Sequence, residues 1–281
     1  MKVTFLGAGV YGKALGNLAE SNGHEVKYYD PYKFPEVKLA DVAKARDLIV
    51  YAAPAGAVNQ IVPELPDPEI PLLCVSKGIM TPYPFRRLKH FYMLAGAAFA
   101  EDIENDSPRI GDKILLTAST PLAEELFTAP KIGIEYIDDT RGIMLSASLK
   151  VATSVYAGYL YPDGFKEDEL DIEKAQNLPS KQEFLEKIRP EYEKWYDLNG
   201  CSHELLQLSC GFPDIILSTT MTSRNFSLGC QIRKLGRIPA ELGTVEGLTF
   251  YETIKNYPDL KVPEDSILME FGEQLKTLKG E

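Results

Sequence analysis

The chain has 281 residues, enough for two domains or one large one, and its 44% hydrophobic content supports a sizeable core. A balance of 30 basic against 41 acidic residues gives a net charge of −11. This argues against a general nucleic-acid binder or a protein of anionic membrane surfaces, while leaving room for an anionic metabolite on a local basic cluster. No apolar run approaches ~20 residues, so no membrane span is expected. Four cysteines (Cys74, Cys201, Cys210, Cys230) without a CxxC pair read as reduced thiols of a cytoplasmic protein. The three histidines have no metal-site spacing, and the N-terminus runs directly into a glycine turn, unlike a signal peptide.

In chain order, the apolar run Val3–Leu6 meets Gly7, Gly9 and Gly12 in a GxGxxG spacing, followed by a helical pattern and a second apolar run, Glu25–Tyr29, ending at Asp30. Strand, glycine turn, helix and terminal acid in this order form a dinucleotide-binding signature. Gly7 permits the turn, Gly9 lets the backbone approach a pyrophosphate, and Gly12 allows helix to pack on strand. The helix N-terminus, at Val10 and Tyr11, offers amide hydrogens to the phosphates. Asp30, 18 residues past Gly12, is placed to accept hydrogen bonds from ribose hydroxyls, and its charge would repel a 2′-phosphate. NAD is therefore favoured over NADP, with nearby Lys33 weakening the preference. A flavin shares the fingerprint but has no second signature here, and an empty glycine turn would not bring its own terminal acid.

Further candidate strands are Leu48–Ala53, Leu72–Val75, Tyr92–Leu94, Lys113–Thr117 and Ile134–Ile137, alternating with helix-like segments. This predicts an α/β fold with a doubly wound, mainly parallel sheet of the Rossmann type. Beyond Asp138 the pattern turns helical, with Gly142–Tyr159, Ser180–Asp197, Ser202–Leu208 and Ser266–Leu278 as helices. A boundary near Thr140 divides the chain into 1–140, a cofactor-binding domain, and 141–281, an all-helical domain. The acidic run Lys166–Asp171 reads as a solvated loop.

Six residues carry candidate chemistry. Lys150 lies in a helical, otherwise apolar stretch, where desolvation lowers an ammonium pKa into a useful range for acid–base work; a lysine snorkelling to solvent is equally open. Lys77 follows the fourth strand, at the carboxyl edge where open α/β sheets bind ligands, although an ordinary loop lysine fits as well. Asp214 sits in the apolar stretch Phe212–Leu217 and needs a cation or donors; capping a helix over Ile215–Thr219 is its other reading. Ser223, Arg224 and Asn225 offer a planar fork and hydroxyl or amide donors suited to phosphate, or else a polar capping loop.

Five ordered segments sharpen this picture: VSKGI (75–79), LAGAAFAEDI (94–103), GIMLSASLKVATSVYAG (142–158), GFPDIILSTTMTSRN (211–225) and TVEG (244–247). With GAGVYG, they resemble the NAD(P)-dependent sn-glycerol-3-phosphate dehydrogenase family over nearly the whole chain. The resemblance implies reversible reduction of dihydroxyacetone phosphate by a nicotinamide cofactor. It implies Lys150 as the acid, Asp214 as its partner, and Lys77, Gly96, Ala98, Ser218, Ser223, Arg224 and Asn225 as substrate contacts. It implies cofactor contacts at Gly7, Gly9, Val10, Tyr11, Gly12, Asp30, Pro54, Lys77, Ala100, Arg224, Thr244 and Glu246, and a possible homodimer. The chain departs from the family at Val151, where an Asn is usual, at Ala97 for Pro, and at Pro213 for Gly. These departures keep two alternatives in view: a dehydrogenase of another small phosphorylated or hydroxy-acid substrate, and a catalytically silent NAD-binding sensor.

Overall fold

The computed structural model describes residues 1–78, 84–109, 111–165, 179–239, 246–254, 257 and 259–278, with backbone alone at 84, 179, 180, 246 and 252. The acidic run 166–171, Ile79 of the VSKGI segment, Thr244 and the Glu246 side chain lie outside the described residues.

Among the described residues, seven strands form one sheet: β1 (Lys2–Leu6), β2 (Glu25–Tyr29), β3 (Leu48–Tyr51), β4 (Leu72–Cys74), β5 (Phe91–Gly96), β6 (Ile114–Ala118) and β7 (Ile132–Tyr136). Their order is β2-β1-β3-β4-β5-β6-β7. Every pairing is parallel except β5 with β6, so the expected parallel sheet carries one antiparallel step. Because β2 and β3 flank β1 on opposite sides, the winding direction reverses at β1. The crevice beyond the carboxyl ends of β1 and β3 is therefore the switch point where such sheets bind ligands. β3 ends at Tyr51 rather than Ala53, because the chain leaves the sheet to pass over the glycine turn. Gly7 has φ 103°, and a Cβ on it would lie 2.7 Å from the Ala53 nitrogen. β7 begins two residues earlier than Ile134, since Ile132 is buried against the sheet core.

Helices α1 (Val10–Ser21), α2 (Leu39–Ala43), α3 (Val58–Ile61), α4 (Ala100–Glu104) and α5 (Leu122–Phe127) connect the strands. The described elements that follow are helical: α6 (Thr140–Leu160), α7 (Pro179–Asn199), α8 (Phe212–Ser218), α9 (Arg224–Leu235), α10 (Glu246–Thr253) and α11 (Ile267–Thr277). The helix expected over Ser202–Leu208 is only a 3-10 turn, His203–Leu206, capped by the Ser202 hydroxyl. It stops there because Gly211 must pass flat against this turn; a Cβ on Gly211 would meet the Leu205 carbonyl oxygen at 2.1 Å.

One face of the sheet shares its core with the helices. Leu6, Ile49, Tyr51, Leu72 and Met93 pack in one apolar cluster with Ile143, Leu149, Tyr192, Trp195 and Phe226. At its centre runs α6, long and apolar enough to cross a membrane by length and composition, with 83% of its apolar window buried inside the protein. A helix apolar on all sides is a core helix, and its polar residues must be satisfied internally. Ser146, Ser148 and Ser154 accordingly donate to the carbonyls of Gly142, Met144 and Lys150.

α9 lies unusually close to α6. A Cβ on Gly158 would be 2.0 Å from the Phe226 carbonyl oxygen, and one on Gly229 2.0 Å from that of Val155. These are backbone contacts, so no side-chain rotation relieves them. Gly158→Ala should lower stability by about 1–3 kcal/mol, as overpacked cores do. Gly56→Ala, where a Cβ meets nothing within 4 Å, should change it little; urea unfolding of the two variants checks the contrast.

Candidate active site

The glycine turn has the form an anionic ligand needs. Gly9 caps α1 with no side-chain hydrogen bond, and no acidic residue lies in the first turn. The amide hydrogens there and the positive end of the helix dipole are therefore open to phosphate. A Cβ on Gly9 would meet nothing within 4 Å, whereas one on Gly12 would lie 2.9 Å from the Gly7 oxygen. Gly12 thus serves packing, and Gly9 leaves the outer side clear for a pyrophosphate. Val10, next to it, is 72% exposed, an apolar side chain without a cover of its own.

Asp30 ends β2 beside this turn. Its Oδ2 accepts from the Ala8 amide at 2.9 Å, and its Oδ1 from the Tyr32 and Lys33 amides at 3.1 and 3.2 Å. Partial burial raises its pKa, but these backbone donors and the Lys33 charge outweigh it and hold the carboxyl below its ordinary value. The acid therefore braces the turn. Lys33 donates to the Ala8 carbonyl and puts a cation on the same edge. Pro54 is exposed at the carboxyl end of β3, and its carbonyl accepts from the Tyr51 hydroxyl at 2.8 Å.

Lys150 and Asp214 meet in the core. The ammonium of Lys150, from the middle of α6, donates to Asp214 Oδ1 at 3.1 Å, with the two residues 4% and 1% exposed. Lys150 does not snorkel, and Asp214 is not a helix cap: α8 is capped by Gly211, and Asp214 lies in its first turn. Burial lowers the Lys150 pKa, Asp214 opposes this, and the charge and hydrogen bond of Lys77 lower it further, to about 7. Lys77, half-buried at the carboxyl end of β4, is thus within hydrogen-bonding reach of Lys150. Two amines that close favour one of them being neutral. Asp214 Oδ2 is buried and has no hydrogen-bond partner among the described residues. An orphaned buried acceptor costs about 1–3 kcal/mol, unless a ligand donates to it.

The predicted substrate residues divide. Asn225 is drawn to the Lys150 region: its Oδ1 accepts from the Gly247 amide at 3.0 Å, and a Cβ on Gly247 would lie 2.7 Å from both that oxygen and the Val151 carbonyl. Ser223 caps α9, and Arg224 is exposed at its first position. Ser218 spends its hydroxyl on the Asp214 and Ile215 carbonyls, bracing α8. Gly96 is explained by the sheet, because a Cβ there would meet the Leu115 oxygen of β6 at 2.7 Å. Ala98 is buried below the turn that leads to Ala100, the first residue of α4.

Sequence reading missed several supports. Asp102 accepts from the Phe99 amide at 2.8 Å and pairs with Arg109, bracing the turn after β5; an acid three residues into a helix is the available signal. Ser76 ties the ends of β3 and β4 together by donating to the Ala53 carbonyl at 2.6 Å. Glu135 accepts from the Ser209 amide at 2.7 Å, and Thr117 from the Cys210 amide at 3.2 Å. These bonds fasten the loop before α8, and hence Asp214, to the sheet. They join positions too distant in the chain for any local pattern to show.

No family model matches the chain. A glycerol-3-phosphate dehydrogenase [NAD(P)+] of Leptospira biflexa is 24% identical over 59% of this chain and 62% of its own length. One of Trichormus variabilis is 24% identical over 99% of this chain and 92% of its own. The crystal structure of glycerol-3-phosphate dehydrogenase from Coxiella burnetii superposes with a TM-score of 0.73, at 16% identity, covering 99% of this chain and 94% of that one. The chain is therefore similar to glycerol-3-phosphate dehydrogenases over nearly its whole length and shares their fold. The sheet and helices described above are the fold that the chain has in common with the Coxiella burnetii enzyme.

Gly9→Ala should leave the melting temperature within about 1 °C, because its Cβ enters open space, while weakening NADH binding by tenfold or more, about 1.4 kcal/mol. Calorimetric titration with NADH beside thermal unfolding tests both halves.

Proposed function

We propose that the chain interconverts dihydroxyacetone phosphate and sn-glycerol 3-phosphate with NAD as cofactor. The observation that carries this reading is the buried Lys150–Asp214 pair with Lys77 beside it and one carboxylate oxygen unpartnered. In this reading residues 1–140 hold the cofactor and 141–281 the substrate, with the reaction between them. The Gly9 N-cap and the first turn of α1 take the pyrophosphate, and Asp30 takes the adenosine ribose. Bound nicotinamide supplies hydride to, or accepts it from, the substrate carbon.

The residues of the chain manage charge and protons. Lys150, as ammonium, gives its proton to the oxygen that becomes an alkoxide during reduction; in the reverse direction the neutral amine takes it back. Asp214 holds that ammonium in place, and its unpartnered Oδ2 is an acceptor for a substrate hydroxyl. Lys77 keeps the proton on Lys150 labile and offers a charge to the phosphate. Arg224 and Asn225, at the dipole-positive start of α9, complete the phosphate site. A second reading, another small phosphorylated or hydroxy-acid substrate, is favoured by Val151, whose buried side chain offers no donor where an Asn is usual.

Lys150→Ala should reduce NADH oxidation by dihydroxyacetone phosphate by about 10²–10⁴-fold; unimpaired turnover would reject Lys150 as the acid. Because reduction needs the ammonium, its rate should fall as pH rises through about 7. Oxidation of sn-glycerol 3-phosphate, which needs the neutral amine, should rise through the same range. For the cofactor, NADH should be used in preference to NADPH, with Asp30→Ser narrowing the gap. Comparing kcat/KM for the two cofactors decides the point, and an NADPH preference in the unmodified chain would overturn it.

A further inference from the structure

Tyr11 belongs to the glycine turn by sequence, but its side chain belongs to the acid–base site. It is the second residue of α1, and its partly buried ring packs on the sheet core. The Lys77 ammonium lies 5.9 Å from the ring centroid, within the range of about 6 Å over which an aromatic face attracts a cation. Burial pushes the phenol up to about 12, and the charges that act on it next are those of Lys77, Asp214 and Asp102. One side chain on the phosphate-binding helix therefore faces a lysine from the end of β4 and a carboxylate from α8.

Lys77 needs such a neighbour. It is carried on a flexible stem, in a turn that Gly78 makes with φ 103°, and it sits within hydrogen-bonding reach of a second amine that repels it when both are charged. We propose that the Tyr11 ring is a positioning residue that holds Lys77 against Lys150 and so couples the cofactor-binding helix to the acid. The attraction is to the ring face, so the hydroxyl is dispensable. The inference rests on Lys150 being the acid of the proposed reaction. Facing Lys150 are Asp214 from α8 and Lys77 from β4; Tyr192 from α7 and Cys210 lie near Asp214. Asp102 from α4 faces Tyr11. Removing the ring changes no charge in this set and removes the aromatic face from Lys77.

The test is the titration of the Lys150 side chain, followed by NMR of protein labelled at lysine Cε and Nζ, without substrate, with Lys150→Arg assigning the signal. Tyr11→Leu should raise the midpoint by about one pH unit, the effect of relaxing a like charge at close range, and Tyr11→Met serves as a second ring-free variant. Tyr11→Phe should leave it in place. Lys77→Met should raise it too, and adding Tyr11→Leu to Lys77→Met should shift it no further, since the two act through one contact. An unmoved midpoint in the ring-free variants overturns the proposal, as does a double variant that shifts by the sum of the two. Inactivity of the unmodified chain on dihydroxyacetone phosphate would reject the proposed reaction by a separate measurement.

Discussion

A lysine held beside a carboxylate in the centre of an apolar helix bundle sets the conditions for the rest of this molecule. An ammonium so placed is stable only with a partner fixed at hydrogen-bond distance, and breaking such a buried pair costs roughly 3–5 kcal/mol. Lys150 has that partner in Asp214, and much of the surrounding architecture keeps the two in register. Ser218 fastens the end of α8 to its own first turn, Gly211 lets α8 begin where it does, and Glu135 and Thr117 hold the preceding loop to the sheet. The pair is thus positioned from α6 on one side and from the sheet on the other.

The same burial makes the pair chemically useful. Desolvation disfavours the ammonium, Asp214 restores part of the loss, and Lys77 takes some of it away again. The resulting proton affinity lies near neutrality. The environment, rather than the residue type, does this.

The glycine turn and the Lys150–Asp214 pair are also joined through the sheet. Ser76 locks the end of β4 to β3, β3 passes over Gly7, and Asp30 ties β2 to the amide of Ala8. The crevice at the switch point is therefore built from strand ends that hold one another. Helices α9 and α10 close over the other side. They approach α6 so nearly, through Gly158, Gly229 and Gly247, that Asn225 reaches the neighbourhood of Val151, one residue from the lysine.

The sequence alone determined the elements whose signals are local. β2 is Glu25–Tyr29 as its alternation predicts, and the glycine turn and the long apolar α6 follow from spacing and composition. α9 escaped notice although its Ser223 cap and the left-handed Gly236 at its end are both in the sequence, because a Ser-rich turn and an internal glycine weaken the helical pattern. The antiparallel β5–β6 step and the exact limits of β3 and β7 depend on partners elsewhere in the chain. Among the site residues, the sequence marked Lys150 and Asp214 as worth attention but left each with two readings. Only the tertiary structure decided between snorkelling and burial, and between helix cap and ion pair. It likewise showed that Gly96 and Ser218 brace the fold and that the Tyr11 ring reaches Lys77. Helix and strand patterns are written within a few residues of one another, whereas proton affinity depends on burial and on charges that the chain brings together across 64 residues, from Lys150 to Asp214.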